Sequence, residues 1–343
     1  MLAIFARIAL KFMGNINKVA VVGAGAWGTS LSIILSKNVG EVSVWAREPE
    51  IVASVNSQRL NKMFLPQVKV PERVFFSGDA GEVLDGADMV VWVMPIKFLA
   101  ATARQFSPFI KSGSIQLNAG KGIEIGTWKR PSQLLRENIA NGSSFGSLMG
   151  PNIAYEVAQD KYAEAVVALD VHSDGVEAAK CFCTPYFRVR AVDDVVGVEI
   201  GAALKNIVAL AAGFCDGMKL GANTKAIVMA RGFQEIYRAA SALGAWSDSF
   251  IKESAILGDV LTTCMSPDSR NRTTGERLGR GMSAAEAVAE LKGRVCAGLE
   301  TIQICRMFEN SYHVRLPIMT ALCDLSEGKI DVQTCLNNML SGK

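Results

Sequence analysis

Residues 18–28, KVAVVGAGAWG, run from an apolar strand pattern straight into a cluster of glycines. Val19 to Val22 read as a strand buried on both faces, and TSLSIILSK (29–37) carries on as a helix. Gly23, Gly25 and Gly28 therefore form GxGxxG at a strand-to-helix turn, which in that context is a dinucleotide-binding fingerprint. The first glycine permits the tight turn, the second lets backbone approach a pyrophosphate, and the third lets the helix pack closely. The diphosphate would sit at the positive end of the helix.

Working outward, EVSVWARE (41–48), DMVVWVMP (88–95), SIQLNAGKG (114–122), FGSLMGPN (145–152), AEAVVALD (163–170) and YFRVRAV (186–192) read as further strands. Strands this apolar, separated by helical segments, predict a parallel sheet covered on both faces. After Asp194 the texture changes to alanine-, glycine- and leucine-rich helical runs, broken around CDGMKLGAN (215–223), and no convincing strand follows. Helices are expected near 283–291, 295–309, 317–327 and 331–340. Residues 258–281 are polar, glycine-containing and unpatterned, which reads as a long functional or disordered stretch. The predicted class is α/β, a Rossmann-type doubly wound sheet followed by an all-α C-terminal domain. The expected boundaries are an N-terminal extension over 1–16, a dinucleotide-binding domain over 17–194 and a helical substrate domain over 195–343.

The totals narrow the function. The chain has 343 residues, enough for two cores, and half of it is hydrophobic. A formal net charge of +3 with no long basic block speaks against nucleic acid. Eight cysteines with only His172 and His313 suit neither a secreted disulfide scaffold nor a Cys/His zinc site, so no metal is expected. The thiols read as reduced core fillers of a cytoplasmic protein. Residues 1–13, MLAIFARIALKFM, are apolar and basic, but too short and interrupted to span a bilayer. They suit a signal, a transit peptide or an amphipathic anchor, but the favoured reading is an upstream start before Met13, with no stable membrane insertion.

Two charged residues stand out. Lys205 interrupts VGVEIGAALKNIVALAAG (196–213), a run that reads as a tightly packed buried helix. Its ammonium either snorkels to the surface or sits in a site that needs it. Arg47 stands past the second strand, where an NAD site usually has an acid on the ribose hydroxyls. An arginine there either meets a 2′-phosphate, favouring NADP over NAD, or forms a solvated pair with Glu48.

Taken together, VVGAGAWGTSLS, NAGKGIE, GPN (150–152), GVEIGAALKNIVALAAG, LGDVLTTC (257–264) and SRNRTTGERLG (269–279) resemble, in order and spacing, the bacterial NAD(P)-dependent glycerol-3-phosphate dehydrogenases over roughly residues 17 to 335. The resemblance implies reversible reduction of dihydroxyacetone phosphate to sn-glycerol 3-phosphate with NAD(P)H, feeding glycerophospholipid synthesis. Lys205 matches the catalytic lysine, acid in reduction and proton acceptor in oxidation. Lys121 matches a second cation that meets substrate and nicotinamide, and Asp259 a substrate-contacting aspartate whose alternative is a helix N-cap. Ser269, Arg270 and Asn271 match the loop that holds the substrate phosphate, Arg270 meeting the cofactor as well. Consecutive residues can converge this way only at a turn or helix start, and Arg272 reads as a solvated neighbour. Gly150 and Asn152 match substrate positions, and Ala26, Trp27 and Ala154 cofactor positions. Trp27 also suits packing between domains.

Two departures from the family pattern are Asn152, where serine or threonine is usual, and Ala297, where a glutamate on the cofactor ribose is common. Competing readings are another phospho- or hydroxyacid dehydrogenase of the same two-domain plan, and a catalytically degraded NADPH-binding sensor. The apolar helical domain leaves room for a homodimer.

Overall fold

The computed structural model describes residues 16–140, 143–246, 253–291 and 295–342, and the segment 1–13 lies outside them. The chain forms two compact units. One runs through Gly120 and resumes over Pro131–Val195, and the other joins Lys121–Arg130 to the chain from Val196 onward. The sequence boundary near 194 is thus accompanied by an earlier excursion, which assigns Lys121 to the helical unit.

The first unit carries β1 (Lys18–Val22), β2 (Glu41–Trp45), β3 (Leu60–Asn61), β4 (Leu65–Lys69), β5 (Val74–Ser77), β6 (Met89–Trp92), β7 (Ile115–Asn118), β8 (Phe145–Met149), β9 (Ala163–Leu169) and β10 (Phe187–Val192). Eight of these form one sheet in the order β10-β9-β8-β7-β6-β1-β2-β5, while β3 and β4 make a separate antiparallel pair. From β1 the chain moves out to β2 and β5, then crosses to β6 on β1's other side, with parallel pairing throughout that half. The order therefore reverses at β1 and β6, where a doubly wound sheet opens its crevice beyond the strand ends.

Alternation along β1 explains the two layers. Val19 and Val21 pack with Leu31, Ile34, Ile51, Val55 and Phe182 on one face. Ala20 and Val22 pack with Trp92, Leu99, Phe106 and Leu135 on the other. The parallel expectation fails at one place, because β8 and β9 run antiparallel, Gly146 opposite Leu169 and Met149 opposite Val166. Both strands are buried and apolar, and such a composition reports burial without reporting direction.

Among its described residues the second unit has helices and no strand. Its longest helix, Val195–Gly217, is long and apolar enough to cross a membrane, yet 89% of its most apolar window is buried within the fold. The glycines explain how. An added Cβ at Gly213 would lie 1.8 Å from the Arg272 carbonyl oxygen, and one at Gly275 would lie 2.0 Å from that of Leu210. Two helix backbones thus meet in direct contact, which only glycine permits. The stretch 258–281, expected to be unpatterned, instead supplies helices Ser254–Met265 and Arg270–Gly279. Its glycines are the packing surface, so the usual apolar periodicity is absent where the contact is closest.

Candidate functional site

Lys205 is 5% exposed, in the middle of helix Val195–Gly217. Its Nζ donates to Asp259 Oδ1 at 2.5 Å and to Thr263 Oγ1 at 2.7 Å. Thr263 stands one turn after Asp259 and donates its own hydroxyl proton to the Asp259 carbonyl at 2.7 Å. Lys121 donates from Nζ to the other carboxylate oxygen, Asp259 Oδ2, at 2.6 Å. One buried carboxylate, 5% exposed, therefore takes a lysine on each oxygen. Asp259 lies inside helix Ser254–Met265, whose N-cap is Glu253, so the N-cap alternative is removed.

Burial disfavours the charged form of Lys205 and lowers its pKa to about 8. Asp259 opposes that shift and the nearby Lys121 ammonium adds to it. The amine can thus hold or release a proton close to neutrality, which an ordinary lysine cannot.

Lys121 reaches this place through a turn that the sequence encodes. At the end of β7 the Asn118 side chain accepts from Gly120 N at 3.1 Å and donates to Gly120 O at 2.7 Å. A Cβ on Gly120 would lie 2.5 Å from the Met94 carbonyl oxygen.

Ser269 is the N-cap of helix Arg270–Gly279, its hydroxyl accepting from Arg272 N at 3.3 Å, so residues 269–271 do form a helix start. The Arg270 side chain is exposed, and among the described residues it has no ion pair. Arg272 is a correction to the expected solvated neighbour, because its Nε donates to Asp216 at 2.7 Å, and Asp216 also takes Lys225 at 2.8 Å. The Asn271 carboxamide donates to Asn206 Oδ1 at 3.0 Å and accepts from Gly298 N at 2.9 Å. It braces the residue next to Lys205 as well as facing the helix start.

In the sheet unit, Gly23 has φ +122° and its Cβ would lie 2.2 Å from the Val93 carbonyl oxygen. A Cβ on Gly28 would lie 1.9 Å from the Gly23 carbonyl oxygen. Both glycines are demanded by the protein's own packing. Gly25 is different, since no protein atom lies within 4 Å of its Cβ position. It is the N-cap of helix Ala26–Leu35, which has no side-chain cap and no acid in its first turn. That combination fits a diphosphate at the helix start, with the Ala26, Trp27 and Gly28 backbone beneath it.

Ser30 Oγ lies 2.9 Å from Ala26 O and 2.7 Å from Ala154 O, tying two of the expected cofactor positions together. Trp27 packs edge-on to Phe187 at 6.5 Å between centroids. A Cβ on Gly150 would lie 2.4 Å from the Glu164 carbonyl oxygen, and Asn152 Nδ2 donates to that same oxygen at 3.0 Å. Asn152 thus uses its extra length on β9. Arg47 is 73% exposed in its side chain and pairs with Glu48 at 2.6 Å.

Sequence reasoning passed over Thr263, Asn206, Glu199 and Asn61. The first was signalled by its place one turn from Asp259, the next two by being polar in the same apolar run as Lys205. Asn61 is fully buried and donates to the Ala24 carbonyl of the glycine turn and to Thr29 Oγ1, each at 2.8 Å. Nothing in its surrounding sequence marks it.

Comparison with known proteins identifies the family. Residues 18–174 match the family model described as NAD-dependent glycerol-3-phosphate dehydrogenase N-terminus, and residues 194–337 match the corresponding C-terminus. The chain is 38% identical over 304 residues to a Geobacter metallireducens protein named glycerol-3-phosphate dehydrogenase, NAD(P)+, covering 88% of this chain and 90% of that one. It is 37% identical over 331 residues to a Mycobacterium bovis protein named glycerol-3-phosphate dehydrogenase, NAD(P)+, 2, covering 95% and 97%. Among solved structures, the glycerol-3-phosphate dehydrogenase of Saccharomyces cerevisiae superposes with a TM-score of 0.87 at 27% identity, covering 95% of this chain and 99% of that one.

Proposed function

The chain belongs to the NAD-dependent glycerol-3-phosphate dehydrogenase family, and we propose that Lys205, anchored by Asp259 and accompanied by Lys121, is the group that exchanges the proton in its reaction. The enzyme is an NAD(P)-dependent oxidoreductase that interconverts dihydroxyacetone phosphate and sn-glycerol 3-phosphate, a precursor of glycerophospholipids. The observation that carries the assignment is the buried Asp259 carboxylate with one lysine on each oxygen.

When bound, the nicotinamide supplies the hydride that reduces the C2 ketone and takes it back in oxidation. Residues of the glycine turn, Gly23, Gly25, Ala26, Trp27 and Gly28, together with Ala154, would hold the dinucleotide. In reduction, negative charge grows on the C2 oxygen. The Lys205 ammonium stabilises that charge and donates its proton there, leaving a neutral amine that Thr263 and Asp259 still hold in place. Lys121 lends a second positive charge to the same oxygen. In oxidation the neutral Lys205 amine accepts the C2 hydroxyl proton. Arg270, with the Ser269 hydroxyl and Asn271, takes the substrate phosphate at a helix start, a geometry suited to anions. By the family resemblance Gly150 and Asn152 are also substrate positions.

NADPH is the preferred reductant in this reading. Arg47 is exposed just past β2, and exchanging its surface pair with Glu48 for a 2′-phosphate gives up only about 0–1 kcal/mol. The acid common in the family at position 297 is absent here, where Ala297 stands. A cytoplasmic location with reduced thiols and a homodimeric state belong to the same proposal. Leu257, Leu261 and Met265 supply exposed apolar surface along one helix for the dimer.

Initial rates with NADH and NADPH, against dihydroxyacetone phosphate and against 2-keto acids, test the reaction and its cofactor together. Lys205→Ala should bind NADPH normally and lose nearly all turnover. Turnover that survives this change removes Lys205 from the role.

A further inference from the structure

The excursion Lys121–Arg130 leaves the sheet unit after Gly120 and returns to it at Pro131, yet packs as part of the helical unit. Its first residue is fastened to Asp259. Its last is fastened too, because Arg130 Nη1 donates to Glu199 Oε2 at 2.7 Å. Glu199 is 1% exposed and stands on helix Val195–Gly217, the helix that also carries Lys205. A carboxylate buried this deeply is stable only with a well-placed cation, so the pair fixes where the excursion ends.

We propose that Arg130 and Glu199 are positioning residues that hold the excursion in register on the lysine-bearing helix, and so set Lys121 against Asp259 and Lys205. The inference rests on the proposed role of the two lysines. Between Lys121 and Arg130 the chain forms neither helix nor strand, with Gly122 at φ +138° and Gly126 at φ +94°. The segment's own backbone hydrogen bonds close one turn, Glu124 N to Lys129 O at 3.1 Å and Trp128 N to Glu124 O at 2.9 Å, so its register on the helix depends on its attachments. Freed at residue 130, it keeps the Asn118–Gly120 turn, the buried Ile123 and the flexible Lys121–Asp259 pair, but loses the anchor at its far end. Displacements of about 1 Å in a catalytic group can cost roughly 100-fold in rate.

The pair also has a signature that a merely stabilising role lacks. The groups around the Lys205 ammonium are Asp259 and Thr263 from helix Ser254–Met265, Cys264 beside them, and Lys121 from the excursion. Lys121 is the cation among these groups, and it lowers the pKa of Lys205. Drawing it away raises the pKa of Lys205, while leaving cofactor contacts in the sheet unit untouched.

The test uses the full-length enzyme with Arg130→Gln, Glu199→Gln, the double variant, Arg130→Lys and Lys121→Met. The readout is dihydroxyacetone phosphate reduction across pH, with thermal melting as a check on folding. Arg130→Gln and Glu199→Gln should each lower kcat about 10- to 100-fold, with a far smaller change in the KM for NAD(P)H, most of whose proposed contacts lie in the glycine turn. The falling limb of the pH profile should move upward in both. The double variant should lose little more than the worse single, since the two residues share this pair. Arg130→Lys, which keeps the charge, should recover most of the rate. If Arg130→Gln does not fold, the isosteric and uncharged Glu199→Gln carries the test. Folded variants with wild-type kcat and pH limb, beside a crippled Lys121→Met, overturn the positioning role alone. A fully active Lys121→Met overturns the lysine reading and this inference with it.

Discussion

Replacing Asp259 by asparagine should change the pH at which this enzyme reduces its substrate. The substitution keeps the volume and one acceptor but removes the negative charge that lies 2.5 Å from Lys205 Nζ and 2.6 Å from Lys121 Nζ. A unit-charge contact near 4 Å is worth about 4 kcal/mol at an effective dielectric of about 20. At 1.36 kcal/mol per unit, that is roughly three pKa units before relaxation, or about two once water and side chains adjust. Lys205 starts from about 8. The variant's lysine should therefore titrate at about 6 or lower.

The sign follows from the chemistry. In the proposed mechanism reduction needs the Lys205 ammonium, so activity should be high below the pKa and fall as pH rises through it. Lowering the pKa moves that falling limb to lower pH. Near pH 7 the wild-type lysine is about nine-tenths charged and the variant's about one-tenth, a loss of roughly tenfold from protonation alone. Loosened anchoring of both lysines adds up to about 100-fold. The assay is kcat/KM for dihydroxyacetone phosphate reduction from pH 5 to 9.5 with saturating NAD(P)H. A limb that stays near 8, or moves upward, refutes the argument that Asp259 holds the proton on Lys205.

Other outcomes follow from the same geometry. Gly25→Ala should fold with wild-type stability, because no protein atom meets its Cβ, while its KM for NAD(P)H rises about tenfold or more. Gly28→Ala should instead lower the thermal midpoint sharply, and equal behaviour of the two in a melt and a KM measurement would refute the distinction. Arg47→Ala should leave stability within about 0.5 kcal/mol and reduce kcat/KM for NADPH more than for NADH, measured with each cofactor separately. Glu235 is buried, with its pKa pushed up to about 7 chiefly by burial, while it accepts from Ile318 N at 2.8 Å and Met319 N at 3.1 Å. The folded state therefore binds more protons than the unfolded chain between about pH 4.5 and 7, and stability falls across that window by up to about 3 kcal/mol. Urea unfolding at pH 5 and 8 should show that slope shrinking in Glu235→Gln. An unchanged slope would place the titration elsewhere.

Much of the sheet unit was legible because its strands are short apolar runs beside glycine turns. β1 and its GxGxxG turn gave both the strand end and the helix start, and the packing of Gly23 and Gly28 shows why the spacing is rigid. The β3–β4 pair and β5 were passed over. Leu65–Lys69 is mostly exposed and contains a proline, so it lacks the apolar run that marks its neighbours. The antiparallel β9 escaped for another reason, since burial is insensitive to strand direction. In the helical unit the glycines of 258–281 misled the reading in the opposite sense. Periodicity detects helices that bury large side chains, whereas Arg270–Gly279 buries its backbone against Leu210, Gly213 and Phe214.

The site shows the same division between what a residue is and what it is set against. A lysine in an apolar run announces a conflict, and Lys205 was found by that conflict. Its resolution lies 54 residues away at Asp259, and Asp259's second partner lies 138 residues away at Lys121. Separations of that size leave no periodic trace, which is why only the resemblance to a family linked the three. Glu199 raises the same conflict in the same run, six positions before Lys205, and is answered by Arg130, 69 residues away. The two conflicts share one solution, because the excursion that brings Lys121 to the site ends in the arginine that neutralises Glu199. Two buried charges on one helix thus meet the two ends of a segment that forms neither helix nor strand: Glu199 takes Arg130 directly, and Lys205 shares Asp259 with Lys121.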